Sequence, residues 1–222
     1  MCTFYVNPGE EDFLKTYQSG YKKIADLGFE IGSHGYTHVS LSHLDNYDLL
    51  KQIELSYKKI ESKFGISPLT FAFPHHDYDE KMLKIVRERY FETRNTLSKS
   101  QFFGLKTKVS YNDMLEKINK CVLNSPIVFA GHSVYLTEEE IRNANDKHKI
   151  GYKPIKLEDL RLLLGEIAMR KRLDVLTLAQ AALKQYLMEH CYVASNYVEI
   201  NDRQLEYLKK YKITKERIVD II

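Results

Sequence analysis

The segment EIGSHGYTH, residues 30–38, places two histidines four positions apart. His34 and His38 could bind one metal ion together if the segment makes a helical turn, because imidazole is a common ligand of zinc and related divalent ions. The pair is a weak signal by itself, since the same spacing occurs by chance among loop histidines. Catalytic metal sites add a carboxylate and keep a position for water, so the pair predicts a site only with partners elsewhere in the chain.

Polar residues also follow two other apolar segments of the kind that form strands. LTFAFP is followed by HHD, residues 75–77, and PIVFAGH ends in His132. Active sites of parallel α/β barrels lie at the carboxyl ends of the strands, so these groups are expected to meet at one edge. The alternative for His132 is a core histidine at a strand terminus.

Strands alternate with helices along the chain, which predicts an α/β fold with a parallel sheet. Strands are predicted at 2–6, 29–34, 69–74, 90–94, 126–132 and 174–178. Helices are predicted at 11–27, 46–64, 79–89, 111–120, 155–173, 179–190 and 201–220. Asp45 is expected to cap the second helix and Gly65 to end it.

The charge pattern argues against a nucleic-acid partner, and the hydropathy argues against a membrane span. Lys and Arg number 33 against 30 Asp and Glu, the net charge is +3, and no basic block is present. No run of about 18 apolar residues occurs. The first residues lack the basic and apolar regions of a signal peptide, so we expect a cytoplasmic location for the sequence as written. A secreted or envelope-associated location is expected if further residues precede it.

The ordered set of motifs resembles the polysaccharide deacetylase (NodB-homology) family. EIGSHGYTH is similar to its metal-binding motif, in which a strand leads into a His-x-x-x-His pair. FAFPHHDYDE resembles its Pro-Tyr-Gly motif, IVFAGHSV its late Leu-His strand, and CTFYV its ATFFV strand. The resemblance predicts a deacetylase-like domain over residues 1–185, with residues 186–222 as a helical extension packed on the same domain.

The resemblance implies a distorted, incomplete (β/α) barrel that hydrolyses N-acetyl groups on a sugar or polysaccharide. His34 and His38 would bind a divalent metal ion, zinc or another, and His132 would be the general acid. The residues expected to contact the acetylated carbohydrate substrate are Pro74, His75, Asp77 and Tyr36.

The chain departs from the family pattern in two places. Ala72 stands where the family usually has Arg, and His75 and His76 stand where it has Tyr-Gly. His75 is either an added ligand or a surface histidine, and His76 is interpreted as a surface histidine. The family's Thr-Phe-Asp-Asp motif, which supplies the catalytic base and a third metal ligand, has no counterpart, since no Asp-Asp pair occurs in the 222 residues.

Three explanations of the missing motif stay open. The sequence is a truncated form of an active enzyme; it is a homologue that binds carbohydrate or metal without turnover; or Asp77, Asp79 or Asp45 substitutes for the missing carboxylate. A barrel without its first strand also exposes two sheet edges. The C-terminal tail, a partner in a homo-oligomer or a shifted strand could cover them.

Overall fold

The computed structural model describes residues 2–9, 11–94, 96–97, 100–105, 110–120, 127–131, 134–135, 139, 155–170, 173–194 and 197–219. The chain forms two compact units, residues 1–97 with 176–222 and residues 98–175. The predicted boundary between residues 185 and 186 falls inside a helix of the first unit, Leu178–His190. The predicted division into a domain over residues 1–185 and an extension over 186–222 stays a prediction.

Four parallel strands form the sheet of the first unit, in the order β1-β2-β3-β4. They span Thr3–Val6, Glu30–Ser33, Thr70–Phe71 and Glu92–Thr93. The register pairs Val6 with Ser33, Ser33 with Phe71, and Phe71 with Thr93. All four strands therefore end in one row, and the predicted α/β fold with a parallel sheet is confirmed. Closure into a barrel stays a prediction.

Helices connect and follow these strands. They are α1 (Glu11–Asp26), α2 (Asn46–Phe64), α3 (Glu80–Arg87), α4 (Tyr111–Asn119), α5 (Leu157–Met169), α6 (Leu178–His190), α7 (Asp202–Lys210) and α8 (Lys215–Val219). As predicted, Asp45 caps α2 by accepting from the Asp48 N–H at 2.9 Å, and Gly65 ends it with a left-handed φ of 71°. Along the described ranges, none of the helices is both long and apolar enough to cross a membrane.

The second unit contains two pairs of parallel strands. β5 (Gln101–Gly104) pairs with β6 (Ile127–Ala130), and β7 (Val134–Tyr135) pairs with β8 (Ile155–Lys156). Its core is apolar and is formed by Leu105, Met114, Ile118, Ile155 and Leu163. The strand predicted at 126–132 is therefore present as β6, whereas β5 was not predicted.

The strand predicted at 174–178 is wrong. Residues 173–177 are neither helix nor strand, and α6 begins at Leu178. Thr177 and Gln180 form a capping box, in which each side chain accepts from the other residue's backbone N–H. The Leu178 N–H donates to the Thr3 hydroxyl at 2.8 Å. The N–H groups of Thr177, Leu178 and Gln180 therefore bond to side chains at the start of a helix, and not to a neighbouring strand.

The end of α7 contacts the segment that leads from α3 into β4, an edge strand of the four-stranded sheet. The Tyr211 hydroxyl donates to the Arg87 carbonyl at 2.8 Å, and the Tyr211 ring lies 5.4 Å from the Phe91 ring. Between α6 and α7, the rings of Tyr186 and Tyr207 stack at 5.0 Å. Tyrosine contacts thus attach the tail to the segment that leads into β4.

One carboxylate joins three elements at the amino-terminal end of the sheet. Glu30, the first residue of β2, accepts from the hydroxyls of Thr3 and Thr70, at 2.7 and 2.5 Å. It also accepts from the Ala179 N–H at 3.0 Å, in the first turn of α6. This carboxylate satisfies a backbone donor that has no partner within the helix, and its charge complements the helix dipole.

Glu30→Gln is expected to lower the free energy of unfolding by about 2 kcal/mol, because one amide oxygen replaces two charged acceptors for three donors. Urea denaturation followed by circular dichroism measures this change. Glu199→Gln, at an exposed position of the short strand Val198–Glu199, is the matched control. Equal stability of the two variants would contradict the joining role of Glu30.

Candidate functional site

The candidate site begins where the parallel strands end. The next residues after the row of strand ends are Asn7, His34, Ala72 and Arg94. Their backbones continue the sheet hydrogen bonds: His34 N–H donates to Val6 O at 2.9 Å, Ala72 N–H to Ser33 O at 2.8 Å, and Arg94 N–H to Phe71 O at 2.9 Å. The backbone that carries the His34 and Arg94 side chains is therefore held by sheet hydrogen bonds.

His34 has a defined tautomer. Its Nδ1 lies 2.7 Å from the Ala72 carbonyl oxygen, and because a carbonyl only accepts, Nδ1 carries the hydrogen. The lone pair of the neutral ring is then on Nε2, the nitrogen that can bind a metal. Metal-binding histidines commonly donate their other ring N–H to a backbone carbonyl in this way.

The structure places the His38 ring between neighbours, with His34 on one contact and His75 on the other. The His38 ring lies 4.8 Å from the His34 ring and 4.7 Å from the His75 ring, between centroids. The His75 side chain is exposed, and its Nε2 lies 3.3 Å from the His38 carbonyl oxygen. His75 thus contacts His38, one member of the predicted pair, from the neighbouring strand end.

Left-handed backbone is concentrated at these histidines. Positive φ is found at His38 (53°), His75 (57°) and His76 (58°), and elsewhere among described non-glycine residues only at Lys212. Such conformations are disfavoured for residues with a Cβ, and they concentrate at functional sites where the surrounding structure enforces them.

Two amide side chains that the sequence analysis missed hold the segment between the histidines. Asn7 donates to the carbonyl oxygens of His34 and Gly35. Gln52 of α2 accepts from the backbone N–H groups of Tyr36 and Thr37 at 2.9 and 3.0 Å. Asn7 could have been found from its place after β1, whereas Gln52 lies on a helix and carries no local signal.

Tyr36 and Pro74 lie on either side of the histidine segment. The Tyr36 ring packs on Gly9, where an added Cβ would lie 2.6 Å from it. Tyr36 also lines an open hollow of about 380 Å³ together with residues of α2, including Gln52. Pro74 is buried, and its ring is close to Gly35, whose added Cβ would lie 3.4 Å away.

Two serines hydrogen-bond the Asp77 carboxylate. The hydroxyls of Ser40 and Ser42 both donate to its Oδ2, and these bonds lower the pKa of the Asp77 carboxyl below its usual value. The other two candidate substitutes are helix caps: Asp45 caps α2 and Asp79 caps α3, where it accepts from Met82 N–H at 2.7 Å. All three carboxylates are thus engaged elsewhere.

The histidine pair fits two ligand positions of a metal ion but not a complete protein site. Within the part of the chain that the structure describes, no three His, Cys, Asp or Glu side chains are grouped to hold one ion. His132, the predicted general acid, lies outside the described residues. A complete site therefore needs ligands beyond the described side chains, or water.

Arg94 is a further site-edge residue that the sequence analysis missed. Its Nη2 lies 3.3 and 3.4 Å from the ring nitrogens of His76, and its guanidinium lies 5.8 Å from the Tyr5 ring centroid. Burial, and secondly the Arg94 charge, lower the pKa of His76. The position of Arg94 at the end of a predicted strand was the available signal.

Sequence comparison adds a family match to this geometry. Residues 1–93 match the family described as polysaccharide deacetylase. The uncharacterized protein YlxY of Bacillus subtilis (strain 168) is 33% identical over 92 residues, which are 41% of this chain and 28% of YlxY. The chain thus matches well under half the length of this curated relative.

Solved structures with similar folds share little sequence with the chain. A CE4 family pseudoenzyme from Bacillus anthracis is 18% identical, with a TM-score of 0.46 over 72% of this chain and 54% of that chain. A family 4 carbohydrate esterase from Streptomyces lividans is 12% identical, with a TM-score of 0.42 over 58% and 76%. Peptidoglycan deacetylase PdaC from Bacillus subtilis is 18% identical, with a TM-score of 0.44 over 74% and 77%.

Replacing Ser40 and Ser42 together by Ala is expected to raise the pKa of the Asp77 carboxyl, because both hydroxyl donors that stabilise its charged form are lost. Carbon-detected NMR titration of that carboxyl measures the change. Ser62→Ala removes a hydroxyl bonded to the Lys59 carbonyl instead and should leave the Asp77 midpoint unchanged. A double variant with the wild-type midpoint would contradict the assignment.

Proposed function

We propose, from the match of residues 1–93 to the polysaccharide deacetylase family, that the chain is a metal-dependent carbohydrate deacetylase. The resemblance drawn from the histidine motifs is confirmed over those residues. The proposed substrate is a sugar or polysaccharide that carries N-acetyl groups. The proposed metal is zinc or another divalent ion, bound through His34 and His38.

The hydrogen bond from His34 Nδ1 to the Ala72 carbonyl is the observation that carries this proposal. It assigns the lone pair to Nε2, as a metal ligand requires, and it fixes the plane of the ring. The His38 ring, 4.8 Å away between centroids, supplies the second imidazole on the same side of the sheet edge. Two adjacent imidazoles favour zinc or a similar borderline ion over magnesium or calcium, which prefer oxygen ligands.

The residues around the pair have roles that follow from their positions. A bound ion would polarise an acetyl carbonyl and lower the pKa of a water molecule. Tyr36 has an aromatic ring beside an open hollow, where it can contact a sugar ring. Pro74 and His75 border the histidines at the next strand end. His132 is assigned from the family resemblance as the donor of a proton to the leaving amine.

One observation favours a second candidate function, which is carbohydrate or metal binding without hydrolysis. Asp45, Asp77 and Asp79 are each hydrogen-bonded to caps or serines. These hydrogen bonds occupy the three carboxylates that could replace the missing Asp-Asp motif, which favours binding without turnover. In this alternative the chain recognises the acetylated sugar and releases no acetate.

His34→Ala and His38→Ala are each expected to abolish zinc binding and zinc-dependent acetate release from an acetylated chitooligosaccharide. The reason is that one imidazole cannot hold the ion as two do. Calorimetry with Zn²⁺ and an enzyme-coupled acetate assay, with and without a chelator, measure the two quantities. His190→Ala, at an exposed helix end, is the control and should retain both.

The outcomes separate the two candidate functions. Zinc and sugar binding without acetate release would support the binding homologue and overturn the deacetylase proposal. A wild-type chain that binds no divalent ion would overturn the metal site. Retention of zinc binding by both His34→Ala and His38→Ala would also overturn the metal site.

A further inference from the structure

The backbone between the two predicted metal ligands is attached to a neighbouring helix by a single side chain. Gln52 Oε1 accepts from Tyr36 N–H at 2.9 Å and from Thr37 N–H at 3.0 Å. Gln52 Nε2 donates to the Thr37 hydroxyl at 2.9 Å. Three hydrogen bonds therefore connect α2 to the two residues that immediately precede His38.

The conformation of this segment explains why it needs such an acceptor. Gly35 has a φ of 80° and His38 a φ of 53°, so both ends of the Tyr36–Thr37 dipeptide are left-handed. Both intervening N–H groups are directed to one oxygen, which has a lone pair for each. Partly buried N–H groups without that acceptor would lose their hydrogen bonds, at a cost of about 1–3 kcal/mol each.

Helix α2 is a fixed support for Gln52. The next residue, Ile53, is buried, and its carbonyl accepts from the buried Tyr90 hydroxyl at 3.3 Å. One turn further along, the Ser56 hydroxyl is hydrogen-bonded to the Ser33 hydroxyl at the end of β2. Helix α2 is thereby hydrogen-bonded to β2, the strand that His34 directly follows.

The two histidines are held by different contacts. The His34 ring is fixed by the Ala72 carbonyl, and its backbone by Val6 and Asn7. His38 follows directly after the two residues that Gln52 holds. Loss of the Gln52 contacts should therefore displace His38 while the His34 contacts persist.

We propose that Gln52 is a positioning residue that holds His38 in register with His34 for binding one metal ion. This inference rests on the proposed function, because it assigns a role to Gln52 toward the metal that His34 and His38 would share. Gln52 itself acts through the backbone of Tyr36 and Thr37. Its acceptor oxygen is the essential group.

A matched pair of variants isolates the acceptor oxygen. Gln52→Met keeps the length of the side chain and a good helix propensity but removes the acceptor. Gln52→Glu keeps oxygen acceptors for both N–H groups, and the Thr37 hydroxyl can donate to it. Lys58→Ala, at an exposed position of the same helix, is the control.

Zinc affinity, measured by competition with a chromophoric chelator, is expected to fall about 10–100-fold in Gln52→Met, the range for loss of an outer-shell contact. Gln52→Glu and Lys58→Ala should bind zinc at least as tightly as the wild type. Amide hydrogen exchange without metal should quicken at Tyr36 and Thr37 in Gln52→Met and stay slow in Gln52→Glu.

The outcomes distinguish this inference from the proposed function. Wild-type zinc affinity in Gln52→Met, or a loss in Gln52→Glu equal to that in Gln52→Met, would overturn the role of Gln52 alone. Unchanged exchange at both amides in Gln52→Met would show that the contact does not hold the segment. A wild-type chain without zinc affinity would overturn the metal site itself.

Discussion

Three backbone hydrogen bonds beyond the strand ends determine the candidate site. They run from His34 to Val6, from Ala72 to Ser33 and from Arg94 to Phe71, and they extend the parallel ladder by one residue on each strand. Each contributes about 1 kcal/mol at most, but together they set which side chains share an edge. A shift of one residue would turn every side chain to the other face. The Ala72 carbonyl reaches His34 Nδ1 only because this register is kept.

The segment from His34 to His38 begins with a sheet hydrogen bond and ends in a left-handed backbone conformation. His34 stands on sheet backbone, whereas His38, His75 and His76 have left-handed φ values. A residue in that region costs of order 1–3 kcal/mol and persists only when neighbouring contacts enforce it. The amide side chains of Asn7 and Gln52 are those contacts for the first segment. The geometry of residues 34–37 therefore depends on two side chains that are not among the predicted metal ligands.

Local patterns in the sequence predicted the elements that depend on local physics. The parallel α/β alternation, the Asp45 cap and the Gly65 helix end follow from periodicity and turn chemistry within a few residues. The convergence of His34, His38 and His75 followed from the general rule that parallel strands end at one edge.

The contacts that the sequence did not reveal join residues far apart in the chain. Gln52 looks like any polar helix residue until its loop is known, and Glu30 looks like a surface acid. The strand predicted at 174–178 failed because Thr177 and Gln180 direct the backbone into a helix. The hydrogen bonds from Ser40 and Ser42 to Asp77 join positions 37 and 35 residues apart, which no local pattern relates.

The Glu30 carboxylate also has a consequence for how the chain is made. Its bond to the Ala179 N–H spans 149 residues, and the whole second unit lies between the two partners in sequence. During synthesis on the ribosome, β1, β2 and β3 emerge long before the helix that completes this contact. Until residue 179 has been released, Glu30 can accept from the Thr3 and Thr70 hydroxyls, but water must take the place of the Ala179 N–H. Contacts of such high sequence separation form slowly, so this end of the sheet should be among the last parts of the protein to become native.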